Sequence, residues 1–90
     1  MSKETLTWDQ TLRFRLLEIV LQWEGRLTTN HLRNAFNIGR QQASKDISRY
    51  INEFNPDGLE YDLKLKGYKP TANFKPQFSQ GSVNEYLHLL

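Results

Sequence analysis

Residues 40–54, RQQASKDISRYINEF, constrain the fold most, because the two sides of this stretch differ in kind. Advancing about 100° per residue gathers Ala43, Ile47, Tyr50, Ile51 and Phe54 into one apolar arc. Gln41, Gln42, Lys45, Ser48, Arg49 and Asn52 occupy the other side. A helix facing only solvent carries mostly Glu and Lys there. This one carries amides, hydroxyls and bases, the groups that hydrogen-bond base edges and phosphates. Residues 28–39, TTNHLRNAFNIG, read as a shorter helix and a glycine turn leading into it. Two helices joined in this way form a helix-turn-helix, whose second helix lies in the DNA major groove.

The rest of the chain fills in around that pair. Trp8 to Glu24 reads as a first helix, with Thr7 as N-cap and Gly25 as its left-handed terminator. Trp8, Leu12, Leu16, Ile19, Val20 and Trp23 make its main apolar stripe, and Phe14, Leu17 and Leu21 make a second row on the opposite side. The second helix starts at Thr28 or Thr29 and runs to about Phe36, burying Leu32, Ala35 and Phe36. In the turn, Ile38 points inward and Gly39 clears space where the helices pass. The third helix stops at Asn55-Pro56-Asp57-Gly58. Leu59–Asp62 and Gly67–Lys69 pair as a hairpin with its tip at residues 63–66, a wing that must lean on the helices through Leu59, Tyr61 and Tyr68. The expected class is mainly α with a small β-hairpin, a winged helix-turn-helix over residues 1–70. Residues 71–81 are a linker, and residues 82–90 begin a helix, with Ser82 and Glu85 forming a capping box.

Ninety residues, 38% hydrophobic and 12% aromatic, suit one folded domain. The absence of cysteine excludes disulfides and fits a reducing cytosol. Apolar runs are too short to cross a bilayer and the first residues lack a signal-peptide core, so a cytoplasmic protein without membrane contact is expected. The net charge of +2 matters less than its placement. Arg26, Arg33, Arg40, Lys45 and Arg49 outnumber Asp46 and Glu53 between residues 26 and 54, and Lys64, Lys66, Lys69 and Lys75 follow without an acid from residue 63 to 80. A polyanion would meet that half of the chain.

The expected partner is double-stranded DNA. Arg40, Gln41, Gln42 and Ser44 are best placed for bases, while Lys45, Ser48 and Arg49 serve bases or phosphates. Thr28, Thr29 and Asn30 offer a helix start to a phosphate, and Lys64 and Lys66 offer the wing tip to the backbone. Asp46 reads as a salt link to Arg49 or to a base on another helix. His31 and His88 lack metal-ligand spacing, and no phosphate-cradling glycine loop or nucleophile–base pair is present. No metal, no cofactor and no enzyme activity are expected. The Phe14, Leu17 and Leu21 row, together with Phe74, Phe78, Tyr86, Leu87 and Leu90, is expected to form a homodimer or interdomain surface. The rival reading is a protein-interaction winged helix that uses Trp8 and these same apolar groups; an RNA-binding winged helix is a weaker third.

The run RLTTNHLRNAFNIGRQQASKDISRYI, with LEYDLKLKGYKPT and FKPQFSQGSVNEYLHLL, resembles the N-terminal winged helix-turn-helix of WYL-domain transcriptional regulators. The likeness is to the BrxR and CapW type that represses bacterial phage-defence operons. It implies homodimeric binding to an inverted-repeat operator, and repression relieved by a ligand such as a nucleotide or nucleic acid. In that family a ligand-sensing WYL domain and a dimerisation domain follow this module. Both are absent here, so the sequence favours an excised piece over a chain whose last helix packs on a second copy.

Overall fold

The computed structural model describes residues 6–79 and residue 87. Helix α1 (Trp8–Glu24) begins where Thr7 and Gln10 cap each other. The Thr7 hydroxyl accepts from the Gln10 amide at 3.1 Å, and Gln10 Oε1 accepts from the Thr7 amide at 3.1 Å. Two otherwise orphaned N–H groups are thereby satisfied. Gly25 ends the helix at φ 71°, a conformation that costs glycine nothing.

Helix α2 (Thr29–Phe36) and helix α3 (Arg40–Phe54) follow, and both pack on α1. The turn between them differs from expectation. Asn37, at φ 53°, takes the left-handed position, while Gly39 is an ordinary N-cap at φ −74° with nothing within 4 Å of an added Cβ. Gly39 therefore clears no close approach. Asparagine tolerates the left-handed region better than most residues that carry a Cβ. Leu32 is fully buried and Phe36 half-buried, but Ala35 is exposed. An eight-residue helix packed along one side buries only a narrow stripe.

Strands β1 (Leu59–Asp62) and β2 (Gly67–Pro70) pair antiparallel, with Tyr61 opposite Tyr68 and Asp62 opposite Gly67. Leu27, between α1 and α2, adds a short third rung. Its amide donates to Tyr68 O and its carbonyl accepts from the Tyr68 amide, both at 2.8 Å. A Cβ on Gly67 would lie 2.9 Å from the Leu27 carbonyl oxygen, so only glycine lets the strand come this close. These bonds fasten the hairpin to the helices.

The core corrects the sequence reading of α1. Phe14, Leu17 and Leu21, expected as an outward surface, are 0%, 0% and 1% exposed. They are core residues rather than an outward surface. Trp8, assigned to the inner stripe, is 75% exposed, and Trp23 is 42% exposed. Helical periodicity shows where apolar residues lie but not how many neighbours cover them. Here α3 supplies Tyr50 and Phe54, and the returning chain supplies Phe78, whose ring lies 5.5 Å from Phe14 and 5.1 Å from Phe54.

Residues 71–79, expected to be a linker, form neither helix nor strand but fold back as a strap. Glu18 on α1, 0% exposed, holds it. Its carboxylate accepts from the amides of Gln77 and Phe78 at 2.7 Å each and of Ser79 at 2.8 Å, and from the Tyr50 hydroxyl at 2.5 Å. Asn55 continues the network, donating to Tyr50 Oη at 2.7 Å and pairing with the Lys75 backbone at 2.9 and 3.0 Å. A buried carboxylate survives through such donors. Of the remaining expected interface residues, Phe74 and Phe78 pack against the core and Leu87 is exposed. Tyr86 and Leu90, with most of the expected helix over 82–90, lie outside the described residues.

Candidate nucleic-acid interface

Helix α3 presents Arg40, Gln41, Gln42, Ser44, Lys45 and Ser48 to solvent while Ala43, Ile47, Tyr50 and Phe54 anchor its underside. Asp46 lies at the edge of this face, yet it is 3% exposed. Arg13 of α1 donates to it through Nε at 2.5 Å and through Nη2 at 3.4 Å. The acid is thus balanced from behind, and the salt link to another helix is present. Gln42 Nε2 donates to the same carboxylate at 3.0 Å.

Arg49 departs from the solvent-facing position expected of it on the polar side of α3. It is half-buried, and its Nε donates to Glu53 Oε2 at 2.7 Å. One turn of helix brings the two together. Gln41 and Lys45 remain exposed.

At the base of the hairpin, the start of α2 and the start of α3 meet the wing across an open groove of about 340 Å³. Thr28, Thr29 and Asn30 line one wall, Arg40 and Ser44 another, and Tyr61, Tyr68 and Lys66 a third. Three stretches distant in sequence thus share one concavity. Its α2 wall is set by a local device. His31 Nδ1 accepts from the Thr28 amide at 3.0 Å, and its Nε2 faces Glu24 Oε1 at 3.4 Å. That occupies the Thr28 amide, which the sequence reading had left available to a phosphate.

The wing tip is pre-formed. Asp62 Oδ1 accepts from the amides of Lys64 at 2.8 Å and Leu65 at 2.9 Å. These amides, with Lys69 beside the carboxylate, hold the Asp62 pKa below its usual value. From the helical side, Arg26 donates to Leu65 O at 2.5 Å and reaches Lys66 O at 3.5 Å. Lys64 and Lys66 stand exposed on this turn, with Lys66 at φ 55°. Lys69 is not a spare cation, since Asp62 and Glu60 lie 3.2 and 3.3 Å from its Nζ. The basic run from residue 63 to 80 therefore divides, and only its first two lysines stand at the tip.

Sequence reasoning missed Arg26 and Tyr61 as groove residues. Arg26 had a usable signal, as the first base after the cap that ends α1. Tyr61 had none: it was assigned to packing, whereas it is 54% exposed, meeting Tyr68 edge-on at 5.2 Å and 82°.

Residues 9–90 match the family described as the BrxR transcriptional regulator winged helix-turn-helix domain. Three curated relatives are described as DNA-binding transcriptional repressor CapW. The chain is 35% identical over 81 residues to the protein of Escherichia coli strain KTE188, covering 90% of this chain and 27% of that one. It is 34% identical over 80 residues to that of Pseudomonas aeruginosa, covering 89% and 26%. It is 32% identical over 83 residues to that of Stenotrophomonas maltophilia, covering 92% and 27%. The chain spans about a quarter of the length of these relatives.

Proposed function

This chain belongs to the BrxR winged helix-turn-helix family, and we propose that it is the sequence-specific DNA-binding domain of a bacterial transcriptional repressor. The relatives' description as DNA-binding transcriptional repressors supports the reading. The observation that carries it is the groove in which Thr28, Thr29 and Asn30, the start of α3, and Lys66 of the wing face one concavity. A duplex laid along that side meets all three elements at once.

In this reading α3 enters the major groove with Arg40, Gln41, Gln42 and Ser44 toward base edges. Lys45 and Ser48 flank them. Thr29, Asn30, Lys64 and Lys66 take phosphates, and Arg49 joins them if Glu53 releases it. Two copies read an inverted repeat in the cytoplasm, and parts of the full-length protein beyond this domain sense the ligand that ends repression. The role asks no catalysis and no cofactor of this domain. The rival protein-interaction reading loses the Phe14, Leu17 and Leu21 row, which is interior, and keeps Trp8 and Leu87.

Electrophoretic titration against the protein's own promoter, with a scrambled duplex as control, tests the proposal. Preferential binding to the promoter is expected, with affinity falling steeply as salt rises because phosphate neutralisation releases counterions. Equal binding to both duplexes, or an affinity indifferent to salt, would refute it.

A further inference from the structure

The carboxamide of Gln42 stands on the exposed face of α3, but its orientation is imposed from below. Its Nε2 donates to Asp46 Oδ1 at 3.0 Å. A carboxylate offers acceptors only, so the nitrogen of Gln42 and not its oxygen must face Asp46. An ordinary glutamine–aspartate pair one helical turn apart joins two mobile side chains. Here Asp46 is 3% exposed and pinned to α1 by Arg13, whose own side chain is 12% exposed. Gln42 is left with Oε1 and one amide hydrogen for anything outside.

Resting on the DNA-binding reading above, we propose that Asp46 is a positioning residue that fixes Gln42 as an outward acceptor. Gln42 then selects a base that carries an exocyclic amino group in the major groove. Adenine presents an N6 donor beside an N7 acceptor, which matches Oε1 and the remaining N–H in a bidentate pair. Cytosine offers N4 as a donor to Oε1 alone. Guanine shows two acceptors and thymine an acceptor and a methyl, so both set an oxygen against Oε1. A freely rotating glutamine turns its amide to suit either class. The Arg13–Asp46 pair removes that choice.

Selection from randomised duplexes, with the wild-type protein, Gln42→Ala and Asp46→Asn, tests this. In Asp46→Asn the amide oxygen keeps the short bond from Arg13 Nε, and the nitrogen takes the place of Oδ1, giving up only the long Arg13 Nη2 contact at 3.4 Å. That nitrogen donates to Gln42 Oε1 and turns the Gln42 amino group outward. The wild type is expected to prefer adenine or cytosine at one position of each half-site by about five- to hundredfold. Gln42→Ala should flatten that position alone. Asp46→Asn should move it to guanine or thymine and keep the others, an outcome that mere loosening of α3 would not produce. A melt checks that Asp46→Asn is folded; if it is not, Gln42→Ala decides, because its side chain is exposed. Enrichment unchanged in Gln42→Ala, or an equal loss at every position in Asp46→Asn, overturns the proposal. Recovery of no enriched motif by the wild type removes the DNA reading along with it.

Discussion

Glu18 shows how one side chain joins three parts of this protein. It lies in the apolar stretch FRLLEIVLQ, where its position along α1 gives no hint of its partners. Its carboxylate binds the α3 hydroxyl of Tyr50 and three consecutive amides of the strap. Removing it in Glu18→Ala orphans buried donors at a cost of roughly 2–4 kcal/mol, which urea denaturation would measure. Burial first, then the negative charge of Glu18, raises the Tyr50 pKa well above the usual 10.0. The unfolded chain releases this proton near pH 10 and the folded one does not, so stability is complete below that pH and falls as pH rises beyond it. Tyr50→Phe should lose stability at neutral pH but show a shallower alkaline decline, as melts from pH 8 to 11 would show. Gly67 and Gly39 make a similar contrast. Gly67→Ala drives a methyl to 2.9 Å from backbone oxygen and should cost about 1–3 kcal/mol. Gly39→Ser enters open space at an N-cap and should gain a few tenths of a kcal/mol.

At the level of elements, most boundaries were legible because their causes are local. Thr7 with Gln10, Gly25, and the Asn55–Gly58 cluster each act within a few residues, and the helices end where those residues require. The wing was legible as a hairpin, but not how it is held. Asp62 fastens the tip from within and Arg26 from the helical side. Asp62→Ala should leave the helices intact and speed hydrogen exchange at the Lys64 and Leu65 amides, a difference NMR would resolve residue by residue. Helix α3 and the wing should also differ in what they contribute to binding. Arg40→Ala or Gln41→Ala should relax base preference, whereas Lys64→Ala should weaken binding to all duplexes roughly alike. Equal losses on operator and random DNA for every variant would contradict that division of labour.

Across the whole molecule, the strap closes the core. Phe78 joins Phe14, Tyr50 and Phe54 in one aromatic cluster, with ring centroids 5.1 to 6.3 Å apart. Phe78→Ala should lower stability by about 2 kcal/mol or more and expose Phe14, seen as a lower denaturation midpoint and new binding of an apolar dye. The sequence by itself determined the class of fold, the order and approximate ends of its elements from α1 to β2, and most of the polar face of α3. Those features rest on helical periodicity, capping and turn chemistry, which reach only a few residues along the chain. Tertiary structure alone decided that both apolar rows of α1 became interior, that Asp46 is balanced by Arg13 and Arg49 engaged by Glu53, and that residues 71–79 return to the core. Burial and charge pairing depend on neighbours that are distant in sequence, and the strap reaches Glu18 from about 60 residues away because three backbone amides had to find an acceptor once they left water.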